Sequence, residues 1–173
     1  GAEVTLVTGP TNLQTKHPAI HRCDVTTAAE MYQACMDVVE EQNICIMSAA
    51  VADYTPENPA PEKIKKHAEG LDLHLCKTKD ILASIGKQKR DDQILVGFAL
   101  ETENEIENAR TKLHTKNADV IVLNSLRTKG AGFKTATNQV MMMTKGDHTE
   151  TSELKSKREI ADDILNLVYK IMT

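Results

Sequence analysis

Apolar positions in this chain fall into short continuous runs and longer stretches at helical spacing, and the runs and stretches take turns. "VTLVT", Val4–Thr8, is rich in β-branched residues and is closed by Gly9 and Pro10, which predicts a buried parallel strand. "TTAAEMYQACMDVVEEQN" offers Thr26 or Thr27 as N-cap with Glu30 as capping-box partner. Ala28, Met31, Ala34, Cys35, Val38 and Val39 then follow at helical spacing. "ICIMSAAV" is a second apolar strand, so strand, helix and strand predict one right-handed βαβ unit.

Pro56, Pro59 and Pro61 deny the next segment a helix and stiffen it. "LDLHLCK", Leu71–Lys77, alternates with the period of a strand wet on one face, and Thr78 or Asp80 caps a short helix through Ile85. "ILVGFALE" is a further buried strand. "TENEIENARTKLHTKN" is an amphipathic helix with Ile106, Ala109 and Leu113 on its core side, leading into the strand "DVIVLN". "NQVMMMTKGDHTETSELK" predicts two strands joined around Lys145, Gly146 and Asp147. Ser156 opens a final helix with Ile160, Ile164, Leu167, Val168 and Ile171 on one stripe. The alternation predicts an α/β fold: a Rossmann-like, doubly wound, mostly parallel sheet with helices on both faces, ending in a β-hairpin plus helix.

A chain of 173 residues suits a single domain with its own core. The formal net charge of −4 argues against a nucleic-acid or membrane-surface partner, and five aromatic residues make base stacking a poor prospect. Cys23, Cys35, Cys45 and Cys76 show no CxxC spacing and fit free thiols in a reducing compartment, so a cytoplasmic location is expected. No apolar run reaches the roughly 18 residues of a membrane span.

In parallel sheets ligands bind beyond the carboxyl ends of the strands, which draws attention to Gly9-Pro10, Ser48 to Asp53, Phe98 to Thr102, and Asn124. Asp53 suits a ribose hydroxyl or a magnesium ion, or simply begins a turn. Lys63, Lys65 and Lys66 are a solvated charge run or, because they end a stiff loop, a set of phosphate contacts. Lys112 and Lys116 share a helix face, as an ordinary wet surface or as a ligand contact. The six histidines include no pair at metal-ligand spacing on a helix and no cysteine lies near enough to complete a site, so zinc is not expected. The GxG at Gly130 to Gly132 neither follows a strand directly nor opens a helix, and no Walker or nucleophile-elbow motif is present. The Met141 to Met143 run reads as strand packing.

Taken in order, "TLVTGPT", "VTTAAEM", "AAVADY", "PEKIKK", "KDILA", "VGFALET", "KLHTKNADVIVLN" and "NQV" resemble phosphopantothenoylcysteine synthetase, the ligase half of the bacterial bifunctional coenzyme A biosynthesis flavoprotein, over essentially the whole chain. The resemblance implies joining of 4′-phosphopantothenate to L-cysteine with CTP and Mg2+ through an acyl cytidylate. It makes Lys63 the catalytic lysine. It places Met47, Ser48, Ala49, Asp53, Lys63, Lys79, Asp80, Ile81, Leu82, Phe98, Lys112 and Lys116 at the nucleotide, with Lys79 standing where the family commonly has proline. It further implies a homodimer and fusion to, or association with, a flavin-dependent decarboxylase domain, with no FMN bound by this part.

Members of that family carry an earlier strand and a glycine-rich turn ahead of the segment that starts here at Gly1. The resemblance therefore implies a domain truncated at its N-terminus, whose native fold needs that strand, supplied by a separate piece or by further residues of the same protein. Without the resemblance, an NAD(P)-binding Rossmann oxidoreductase or a non-catalytic nucleotide-binding subunit also fits the alternation; the first lacks its G-x-G-x-x-G turn.

Overall fold

A computed structural model of the chain describes residues 1–65, 70–101, 103–125, 136–146 and 148–173, the side chain of Ser125 excepted. Lys66, the Gly130 to Gly132 motif and Asp147 lie outside the described residues. In chain order the elements are β1 (Val4–Thr8), β2 (Ile20–Asp24), α1 (Ala28–Val38) with a 3-10 turn (Val39–Glu41), β3 (Ile44–Met47), β4 (Tyr54–Pro56) and β5 (Leu75–Lys77). They continue as α2 (Ile81–Gln88), β6 (Ile94–Glu101), α3 (Glu105–Thr115), β7 (Val120–Ser125), β8 (Thr137–Asn138), β9 (Val140–Thr144), β10 (Thr149–Thr151), β11 (Lys155–Ser156) and α4 (Lys157–Met172). They gather into two compact units, one of Gly1–Cys35 with Ala49–Asp80, the other of Met36–Ser48 with Ile81–Thr173.

The second unit holds a five-stranded sheet in the order β10-β9-β7-β6-β3. Strands β3, β6 and β7 run parallel, with Met47 opposite Gly97 and Gly97 opposite Ile121; β9 and β10 close the other side antiparallel. Period-two alternation sends Val96, Val120, Val122 and Met142 to one face, where they pack on Ile160, Ile164, Leu167 and Val168 of α4. Gly97 lies on the opposite face, under α2. A Cβ there would stand 2.7 Å from Leu82 Cδ2 and 2.9 Å from Ile121 Cδ1, so the missing side chain is what admits the helix. Helices thus cover both faces, and burying each such Val, Ile or Leu contributes roughly 1.5–3 kcal/mol.

In the first unit β1 pairs in parallel with β2, Val4 opposite Ile20 through Thr8 opposite Asp24. Two expectations change here. Val4 and Leu6 are 41% and 38% exposed, so the strand expected to be buried is not, and its hydrogen-bonded neighbour is β2, in a ladder separate from β3, instead of a βαβ partner across α1. Arg22 ties the connection back through Leu13 O at 2.6 Å and Asp24 Oδ1 at 2.7 Å.

Other boundaries also move. The strand expected over "ICIMSAAV" stops at Met47, and of "LDLHLCK" only Leu75–Lys77 is strand, because its partner Tyr54–Pro56 is just as short. Helix α2 runs past Ile85 to Gln88. Ile106, expected in the core, is 50% exposed: it sits in the first turn of α3, whereas Ala109 and Leu113 further along are buried. Ile171 is likewise exposed near the end of α4.

Candidate functional site

Residues 49–65 and 70–80 build an arm in the first unit. β4 and β5 pair antiparallel, Tyr54 opposite Lys77, and Glu57 N–H donates to His74 O at 3.0 Å beyond them. At the base, Thr78 N–H donates to Asp53 O at 2.9 Å and its hydroxyl to Ala52 O at 2.7 Å. Two bonds from one threonine therefore fix the backbone of Asp53 beside the turn that carries Lys79 and Asp80. The Lys79 ammonium lies 4.5 Å from the centre of the Tyr32 ring on α1, a cation–π contact that gives an exposed lysine a preferred place. Lys63 and Lys65 are exposed on the long connection between β4 and β5, and the Asp53 side chain is open to solvent.

The second unit carries the remaining candidates. Met47 ends β3 opposite Gly97, Ser48 follows it in the chain, and Leu82 packs on Gly97 from α2, so Met47 and Leu82 flank Gly97 at the carboxyl end of β3. Phe98 points to the other face, against the α4 cluster. Lys112, in the last turn of α3, and Lys116, its C-cap, are half-buried at the end that leads into the start of β7. The structure therefore sets Met47 and Leu82 on either side of Gly97 and turns Phe98 to the opposite face of the sheet. Two clefts lie elsewhere in this unit: one of about 230 Å³ between Ile106, Leu123, Gln139 and Met141, and one along α3 between Asn104 and His114.

Burial pushes the Cys45 thiol on β3 up, which keeps it protonated and unsuited to nucleophilic work. Among the described residues no cluster of three or more His, Cys, Asp or Glu could hold a metal, and no helix is long and apolar enough to cross a membrane. Sequence reasoning missed Thr78 as the anchor of Asp53 and Tyr32 as the partner of Lys79. Both contacts span tens of residues and leave no periodic trace.

The family model for the DNA/pantothenate metabolism flavoprotein C-terminal domain matches residues 1–172. A protein named cysteine/cysteine sulfinic acid decarboxylase, from an unknown prokaryotic organism, is 47% identical over 99% of this chain. The coenzyme A biosynthesis bifunctional protein CoaBC of Bacillus subtilis (strain 168) is 40% identical over 95% of it. The chain spans 48% and 40% of the length of these two relatives. A crystal structure of the C-terminal domain of a CoaBC protein superposes with a TM-score of 0.81 at 34% identity, covering 99% of this chain and 76% of that one. With the same α/β sheet and a family match over nearly every residue, the chain belongs to the DNA/pantothenate metabolism flavoprotein C-terminal domain family.

Proposed function

We propose that the protein is the ligase part of a coenzyme A biosynthesis enzyme, joining 4′-phosphopantothenate to L-cysteine at the expense of CTP. The observation that carries this is the family match over residues 1–172 together with the anchored Asp53 segment and a lysine-bearing arm rooted on it. The substrate carboxylate attacks the α-phosphorus of CTP and pyrophosphate leaves; the cysteine amine then attacks the acyl carbon and CMP leaves. Activation is needed because a carboxylate resists attack by an amine, and the protein's part is placement and charge neutralisation.

In this reading Lys63 meets the phosphates and the charge that develops on them. Met47, Ser48, Ala49, Asp53, Lys79, Asp80, Ile81, Leu82, Phe98, Lys112 and Lys116 are all assigned to the nucleotide by resemblance. Mg2+ would ride on the triphosphate, and the exposed Asp53 carboxylate could reach it or a ribose hydroxyl, which suits an ion that keeps most of its water. The donor set fits that role better than a protein cage, since the described residues offer no acidic cluster. A cytoplasmic homodimer joined to a flavin-dependent decarboxylase part completes the proposal.

The test is release of pyrophosphate from CTP by the intact protein, with and without 4′-phosphopantothenate. Release should require that substrate, and Lys63→Gln should lower kcat by about a hundredfold. Release indifferent to the substrate would sink the ligase reading, and release indifferent to Lys63→Gln would remove the role given to that lysine. Because one relative is named a cysteine/cysteine sulfinic acid decarboxylase, carbon dioxide release from cysteine without nucleotide would count against the ligase reading.

A further inference from the structure

We propose that Gly86 and Asn117 form a joint that sets where Lys116 stands, making both of them positioning residues for nucleotide binding; this rests on the nucleotide role of Lys116 proposed above. A lysine reaches its ligand from its own Cα, so the fixity of that root decides how much entropy binding must remove. Here the root is held from several sides. A Cβ on Gly86 would stand 1.8 Å from the Lys116 carbonyl oxygen and 2.9 Å from its carbon, so only glycine lets α2 seat against the end of α3. Asn117 follows with φ 51°, the left-handed residue of a Schellman motif: its N–H donates to His114 O at 3.1 Å and that of Ala118 to Leu113 O at 3.0 Å.

Glycine would satisfy that backbone at less strain, so the asparagine side chain asks for its own explanation. It bridges two elements: Nδ2 donates to Gly86 O at 2.7 Å, and Oδ1 accepts from Lys145 Nζ at 2.6 Å. The amide thereby pins α2, the end of α3 and the β9–β10 turn at one point. Since Leu82 lies at the other end of α2 on Gly97, the same joint fixes Lys116 relative to the strand-end candidates within one unit.

The experiment measures CTP affinity by calorimetry and initial rates on the intact protein for Asn117→Gly, Lys116→Gln and the double variant. Asn117→Gly keeps the left-handed backbone and removes only the bridge. Its Kd and KM for CTP should rise about three- to tenfold, the range of a lost hydrogen bond, with most of the loss in KM and little in kcat. The penalty of Lys116→Gln should shrink in the Asn117→Gly background, because a misplaced lysine has less to lose. Gly86→Ala, which must move the Lys116 carbonyl, should reproduce the KM effect if the variant folds. An Asn117→Gly protein that loses stability yet binds CTP with unchanged Kd would overturn the proposal, as would equal penalties for Lys116→Gln in both backgrounds. A Lys116→Gln protein with wild-type affinity, beside a Lys63→Gln protein without it, would remove Lys116 from the nucleotide site and the proposal with it. Wild-type protein that binds no CTP at all would instead sink the functional reading itself.

Discussion

Asp119 shows how much one residue can hold. Its carboxylate accepts from Lys89 Nζ at 2.8 and 3.0 Å and from Leu95 N–H at 2.8 Å, with Lys145 Nζ at 3.3 Å. Lys89 keeps only 7% of its side chain exposed, so its ammonium depends on this partner and on Gln93 O. Removing one member of a buried pair leaves the other charged and dehydrated. Asp119→Asn should therefore cost about 3 kcal/mol in urea unfolding, and Asp119→Leu combined with Lys89→Met should cost less than that single change. A loss below about 0.5 kcal/mol for Asp119→Asn would class the pair with surface ion pairs. None of this was legible in the sequence. Lys89 and Asp119 look like ordinary charges at element ends, and their pairing exists only because β6 and β7 bring residues 30 apart together.

At the scale of elements, the helix starts are the most legible feature. Thr27 Oγ1 accepts from Glu30 N–H at 3.1 Å while the Glu30 carboxylate accepts from the Thr26 and Thr27 N–H groups at 2.7 and 3.1 Å, the reciprocal box the spacing predicted. Ser156 and Glu159 repeat it at α4. The backbone N–H of Thr26 holds Glu30 below the usual carboxylate range, and the Ser156 side chain does the same for Glu159. A carboxylate with a lowered folded-state pKa stabilises above its unfolded value and loses that contribution as pH falls through the folded one. Stability should therefore drop from about pH 4.3 downward, and Glu30→Gln with Glu159→Gln should flatten that limb of a pH series of urea midpoints while leaving the caps' acceptors in place. An unaltered acid limb would place its origin in other carboxylates. Strands β6 and β7 were as readable as the caps, because residues buried on both faces leave unbroken apolar runs. β2 was not: "IHRCD" places His21, Arg22 and Asp24 on a half-wet ladder, and no apolar run marks it.

For the whole molecule, the informative contrast is between the two units. The second has a core of fully buried side chains on β6, β7 and β9, whereas β1, β2, β4 and β5 of the first are exposed or half-buried. Backbone bonds with little apolar cover open at low free energy. Hydrogen exchange at neutral pH should accordingly be at least about tenfold faster in β4 and β5 than in β6 and β7, and equal protection would mean that the chain opens only as one body. The fold class was legible because alternation is a local signal; the division at Cys35 and Met36, inside a continuous helix, was not. The same contrast bears on the methionine run. Met142 faces the α4 layer and Met143 the opposite layer, both buried, while Met141 stands half-open at the cleft beside Ile106. One short strand thus carries an oxidisable thioether into each half of the core. Peroxide that converts Met141 to its sulfoxide leaves the packing intact, but a chain already loosened by heat exposes Met142 and Met143 together, and two polar sulfoxides in β9 then bar both layers from closing again.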